Sequence, residues 1–416
     1  MEGIILNDHT KYSLTDKQFS RRILLQNAMW MSGAIATGIG SWVFPAKWSH
    51  AAGPIKVGIA TDLTGPISFG GIPCSRVAKL AIDQINADGG ILGRPLEMYL
   101  EDTASNEQIA VGVVRKLVQR NRVDVVLGGI TSSMRNAIKD VIVGRGRTLY
   151  IYPQLYEGRE CTPNLFCTGP TPAQQCDDLI PWLIANGGKR FALPSANYVW
   201  PHVLNEYARK SIEDNGGEVV LEEYFPLDQV EYGATVKRIM DEKIDVVFNT
   251  VIPPGLGPFI KQLYEAGFLK RGGRLSCVYY DENALNFNAA EEMEGLASCL
   301  DYFQNIDDPF SAELQAAYQK RHAHKDKVLF TAGSGSTGMY RGVKLWEAAV
   351  KEAGAVDRDS VAAALDHAKI ANGPGGPSNI VPGTYHCQMN MYIAVAKAGK
   401  YEIIDKADQV HPKECG

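Results

Sequence analysis

No dense run of lysine and arginine occurs anywhere in this chain of 416 residues. That absence sets nucleic acid aside as a partner, because phosphate backbones are held by clustered cations. No CxxC pair and no Cys/His cluster at zinc spacing occurs among the eight cysteines, so a metal site has no support. Residues 333–338 are glycine-rich but lack the lysine of a phosphate-binding loop and do not form GxSxG. His322 and His324 stand two apart on a predicted helix, where they cannot share a face, and His202 stands alone after Pro201. No nucleophile, base and orienting acid come together in the pattern, so neither an enzyme nor a bound cofactor is expected. Internal repeats and low-complexity segments are also missing. What remains is an ordinary globular composition, 45% hydrophobic and 21% charged with a net charge of −5, long enough for two or three domains.

The first fifty residues read as an address. Ser20-Arg21-Arg22-Ile23-Leu24-Leu25 resembles the twin-arginine export motif. Residues 27–44 are mildly apolar but diluted by Gly33, Gly38 and Gly40, which suits a signal segment better than a permanent span of about 20 apolar residues. Ser49-His50-Ala51 is a small-x-small cleavage pattern. The expectation is a signal peptide over residues 1–51 and a periplasmic product. An uncleaved N-terminal anchor is the alternative. In an oxidising compartment some cysteines are expected to pair, Cys161 with Cys167 foremost, while Cys277 and Cys299 suit buried free thiols equally well.

From Pro54 onward, apolar strand-like runs alternate with amphipathic helical spacing. Strands are predicted at 55–60, 96–101, 123–127, 148–152, 190–194, 218–224, 244–250 and 274–280. Apolar Val77, Leu80, Ala81 and Ile85 place a helix over 76–86 between the first two. Such alternation gives βαβ units and mostly parallel sheets covered on both faces. The pattern restarts after the Pro- and Gly-rich loop 161–172. The chain is therefore read as lobe 1 over 52–170 plus 300–370, and lobe 2 over 171–299 plus 371–416.

Ligands of open α/β sheets bind at the carboxyl ends of strands. Residues 123–127 lead into Gly128-Gly129-Ile130-Thr131-Ser132-Ser133, where a serine either caps the next helix or meets a carbonyl or carboxylate oxygen. The strand at 148–152 leads into Tyr152-Pro153-Gln154-Leu155-Tyr156, and the one at 190–194 into Asn197-Tyr198-Val199-Trp200, aromatic loops suited to a wet cleft. Asp281-Glu282-Asn283 follows the strand at 274–280.

Asp62-Leu63-Thr64-Gly65-Pro66, residues 85–95 (INADGGILGRP) and Tyr156-Glu157-Gly158 resemble type 1 periplasmic binding proteins. Tyr152-Pro153, Pro163-Asn164, Gln174-Gln175, Asn197 to Pro201 and the late Gly-Pro loop at 373–377 are similar to the subgroup of urea-binding proteins and short-chain amide sensors. The resemblance spans the chain beyond its address. It implies two doubly wound Rossmann-like lobes joined by a three-crossover hinge. It also implies a monomeric binding component of an ABC importer that presents a small polar solute (amide, urea or amino-acid-like) to a membrane permease. A ligand sensor of the same fold is the alternative. By position, Ser132, with Ser133 beside it, would hold a ligand oxygen, and Tyr152 and Gln154 would line the same wall. Tyr198 and Trp200 would close over the ligand, and Glu282, with Asp281 beside it, falls where amino-acid-binding relatives hold an α-amino group. Ile130 replaces the aromatic of the amide sensor, Gln154 replaces a smaller residue, and 333–338 is richer in glycine than its counterpart.

Overall fold

Two sets of short apolar strands with the same internal order make up the frame of the protein. The computed structural model describes residues 53–333 and 335–415, and the address expected over residues 1–51 lies outside them. In the first set β1 (Ile55–Thr61) lies between β2 (Leu96–Asp102) and β3 (Val125–Gly128), followed by β4 (Leu149–Tyr152) and β5 (Leu165–Cys167), all parallel. In the second, β6 (Arg190–Ala196) lies between β7 (Glu218–Phe225) and β8 (Val246–Phe248), followed by β9 (Arg274–Ser276) and β10 (Ala297–Leu300), again parallel. Each set has the doubly wound order 2-1-3-4-5, whose switch point falls between its first and third strands. The repeat lies in the topology, not in the residues.

Helices cover the strands because the strands are apolar on both faces: every residue of β3, β4 and β5 is buried. The first helix is longer than its periodicity predicts. It spans Ser68–Ala87, with Gly70, Gly71 and Pro73 inside its buried first turns. Gly71 is required there, since a Cβ would collide with the Asp62 backbone. No helix among the described residues is long and apolar enough to cross a membrane.

The C-terminal part brings strands that the sequence reading left unassigned. After β11 (Lys369–Ile370), the strands β12 (Ser378–Val381), β13 (His386–Lys397) and β14 (Lys400–Val410) pair antiparallel in turn. β13 starts beside β5 at His386 and ends against β10 at 392–395, joining the two sets into one path. The chain therefore passes between the sets three times: after β5, after β10 and along β13. After β10 it returns to the first set, where the helix Ser336–Ala353 packs on Ser68–Ala87, β3 and β4. The fully buried Arg341 of that helix ties the passages together. Its guanidinium donates to the Thr168 carbonyl at 2.7 Å, to Asp301 at 2.6 Å and to the Pro374 carbonyl at 3.4 Å.

One cysteine expectation is corrected. Cys161 is bonded to Cys415, with Cα atoms 5.7 Å apart, and not to Cys167. Pairing of β5 with β4 and β13 turns Cys167 into the core as a free thiol. Meanwhile the C-terminal tail returns over the 156–161 loop, where Glu414 accepts the Arg159 N–H at 2.7 Å and the Pro412 carbonyl accepts the Thr171 hydroxyl at 2.9 Å. Cys277 and Cys299 are buried free thiols.

Candidate binding cleft

The carboxyl ends of the two sets face each other, and the loops leaving them enclose a chamber of about 70 Å³. The first set contributes Ile67 and Phe69 after β1, Ile130 to Ser132 after β3, and Gln154 and Leu155 after β4. The second contributes Tyr198 and Trp200 after β6, Ile252 after β8 and Tyr279 after β9, and Gly333 completes the wall. None of these residues carries a formal charge. The walls are mostly apolar or aromatic, with Thr131, Ser132 and Gln154 as the polar side chains of the first set.

Thr131 caps the helix Ser132–Lys139, its hydroxyl accepting the Met134 N–H at 3.1 Å. That leaves both serines free of capping duty. The N–H groups of Ser132 and Ser133 open the helix without an intrahelical acceptor, and no partner for them occurs among the described residues. Ser132 is buried, and its hydroxyl donates to the Glu157 carboxylate. With its proton so committed, the Ser132 oxygen keeps only lone pairs to offer, and its backbone N–H is the free donor on this side of the chamber. Ser133 is half-buried and outside the chamber wall.

Behind Ser132 lies a buried ionic network. Arg135 donates to Glu157 at 2.7 Å and to Glu160 at 3.0 Å, and Lys139 meets Glu160 at 3.0 Å. Burial works against the Arg135 charge, but Tyr152 and Glu157 outweigh it and hold its pKa above the ordinary value. The guanidinium also lies 5.0 Å from the Tyr152 ring centre and 5.3 Å from that of Tyr156. Tyr152 therefore stands behind the wall, its hydroxyl donating to the Ile130 carbonyl at 2.9 Å. It shapes the 129–132 loop and does not line the chamber. Gln154 does line it. Its amide donates to Cys74 at 3.4 Å, and the positive φ of Gly335 (74°) lets the backbone pass where a Cβ would strike that amide.

On the opposite wall, Trp200 is only 4% exposed and meets Tyr279 edge-on at 5.9 Å, with Tyr198 6.2 Å away. Its indole Nε1–H is sealed from solvent and has no hydrogen-bond partner. An unpaired buried donor costs about 1–3 kcal/mol, so this one marks a place for an acceptor. Tyr279, Phe69, Ile67 and Ile252 are site residues that sequence reasoning passed over. Their only sequence signal is a position shortly after a strand, which many apolar residues share.

Asp281 and Glu282 part company. Asp281 lies on the wall of a neighbouring space, accepting the Ala284 N–H at 2.9 Å and the Thr331 hydroxyl. Glu282 lines neither space. Its Oε1 accepts the Gln304 N–H at 2.7 Å and its Oε2 is sealed without a partner, so burial pushes the carboxyl up to about 8. An unfolded chain gives up this proton near 4.5 and the folded one keeps it to about 8. The stability linked to it is complete below pH 4.5 and is lost as pH rises to 8. Glu282→Gln should therefore gain stability over the parent between pH 5 and 8, by at most about 1.4 kcal/mol per pH unit, with ligand affinity unchanged. Urea unfolding at pH 5, 6.5 and 8 measures this, and a constant difference between the two proteins would contradict it.

Residues 54–400 match the sequence profile of the family described as periplasmic binding protein. A Leu/Ile/Val-binding protein of Rhizobium johnstonii is 28% identical over 235 residues, 55% of this chain and 62% of that protein. The chain thus spans less than two thirds of that relative's length. A leucine-, isoleucine-, valine-, threonine- and alanine-binding protein of Pseudomonas aeruginosa is 25% identical over 331 residues, 77% of this chain and 84% of the relative. Among solved structures, the solute-binding protein of an ABC transporter from Rhodopseudomonas palustris BisB5, in complex with 3,4-dihydroxybenzoic acid, superposes with a TM-score of 0.76. It is 25% identical, covering 86% of this chain and 99% of that one.

Proposed function

The chain belongs to the periplasmic binding protein family, and on that premise we propose that it is the solute-binding component of an ATP-driven importer. It is exported to the periplasm, in this reading by the twin-arginine route, and delivers its solute to a membrane permease. The solute has a small apolar or aromatic body and one oxygen-rich end, a carboxylate or carboxamide. The observation that carries this reading is the pair of unpaired donors in an uncharged, apolar-walled chamber: the Ser132 N–H at a helix start and the Trp200 indole N–H. Oxygen is their complement, and Ile130, Leu155 and Ile252 suit what lies behind it. A free α-amino group finds no carboxylate on the chamber wall, since Glu282 is elsewhere and Asp281 is engaged. That favours a solute like the benzoate-type ligand of the Rhodopseudomonas neighbour over the branched-chain amino acids of the Rhizobium and Pseudomonas relatives.

Urea or a short-chain amide is a second reading, supported by the chamber's size: about 70 Å³ suits a molecule of a few heavy atoms. A thermal-shift panel of benzoate, 4-hydroxybenzoate, leucine, acetamide and urea separates the readings, because a ligand that binds only the folded state raises its melting temperature. Benzoates are expected to give the largest shift. A shift with leucine alone, or with urea and acetamide alone, would overturn the carboxylate reading in favour of that class.

A further inference from the structure

Beside the inner chamber lies a larger one of about 430 Å³, and Phe69, Tyr279 and Gly333 belong to the walls of both. A Cβ at Gly333 would collide with the Tyr279 carbonyl, so glycine is what lets the wall run on between them. The inner space of about 70 Å³ is small, with room for a carboxylate and the start of its body. An aromatic acid seated by its head must project through the neck. Beyond it, Phe69 from the first set meets Phe287 from the second edge-on at 6.3 Å, a pair of apolar walls supplied by both sides.

The wall of this outer chamber carries charge at Asp281, beside the neck at Gly333, and at Lys327. Asp281 is engaged by the Ala284 N–H and the Thr331 hydroxyl, and Asn283 is spent on Leu329, donating to its carbonyl at 3.0 Å and accepting its N–H at 2.9 Å. Lys327 is different. It makes no ion pair or hydrogen bond with any described residue. Its backbone is nevertheless held on both sides, by the bidentate pairing of Arg76 with Asp326 at 2.5 and 2.8 Å and by the Asn283–Leu329 clamp. An exposed, unspent cation on the wall of a space that also holds Phe69 and Phe287 has an acidic group as its complement.

Resting on the carboxylate reading above, we infer that the solute is an elongated aromatic acid with a second acidic group. The first carboxylate occupies the inner chamber, the ring passes Phe69 and Tyr279, and the distal acid lies on Lys327. Calorimetric titration with benzoate, 4-methylbenzoate and benzene-1,4-dicarboxylate, at low and high salt, tests this on the full protein freed of endogenous ligand. The dicarboxylate should bind about two- to fivefold more tightly than 4-methylbenzoate at low salt, the order expected of an exposed charge pair, and salt should erode the difference. Lys327→Gln should abolish that advantage and leave benzoate affinity as it was. Phe287→Ala should weaken 4-methylbenzoate and the dicarboxylate alike. If benzoate and the dicarboxylate bind equally and Lys327→Gln changes neither, the outer subsite is wrong and the carboxylate reading stands. If no aromatic carboxylate binds, both fall together.

Discussion

Arg341→Met is expected to cost the protein about 3–5 kcal/mol of stability, the usual penalty for leaving a buried charge without its partner. Arg341 and Asp301 are each 1% exposed, and their contact of 2.6 Å joins the helix Ser336–Ala353 to the segment leaving β10. The same guanidinium holds the Thr168 carbonyl beyond β5 and the Pro374 carbonyl ahead of β12. In the variant, Asp301 keeps a buried negative charge, and two carbonyls lose a donor. Pairing the change with Asp301→Leu should recover part of the loss, because the double variant buries no unpaired charge. Urea unfolding followed by circular dichroism measures all three proteins. A single variant within about 0.5 kcal/mol of the parent would show that the junction of the three passages does not depend on this pair.

The second large effect is expected at Trp200. Truncation to alanine should weaken solute binding by about 30- to 1000-fold, the 2–4 kcal/mol typical of a buried aromatic at the centre of a site. Trp200 also packs in the core around Tyr279 and Leu204, so the alanine variant loses stability as well as affinity. Trp200→Phe separates the two. It keeps an aromatic wall and removes the indole N–H, so its expected affinity loss is smaller, about 1–3 kcal/mol for one hydrogen bond to a ligand oxygen. Titration of both variants, with spectra confirming the fold, measures this. Parental affinity in Trp200→Phe would mean that the indole N–H does not meet the solute, and would remove one of the two donors on which the oxygen-rich end rests.

Much of the frame could be read along the chain because it follows from local patterns. The runs at 55–60, 123–127 and 148–152 are mostly apolar, broken by Lys56 and Asp124 near two of their starts, as strands largely buried on both faces are, and each lies within two residues of its expected bounds. The loops that follow were recognised as the place for ligands, since the carboxyl ends of parallel strands always open there. Ser132, Gln154, Tyr198 and Trp200 line one chamber, while Ser133 lies outside its wall and Asp281 on that of the neighbouring space. Tyr152, the last residue of β4, and Glu282, in the loop after β9, do not line the chamber: the one turns behind the wall and the other is buried against Gln304. The Thr131 cap was overlooked for a similar reason, because three consecutive hydroxyl residues are equally able to cap and only the backbone dihedral at Thr131 selects among them.

By itself, then, the sequence determined the class of fold, the alternation of strands and helices, and the loops in which a site must lie. These depend on periodicity and on residues close together in the chain. Tertiary structure alone decided what lies far apart. It brought Cys161 to Cys415, Arg341 to Asp301 and Thr168, β13 to both β5 and β10, and Phe69 to Phe287. None of these partners carries a local mark of the other. Each pairing is set by where three passages of the chain cross, and so by the packing of the whole.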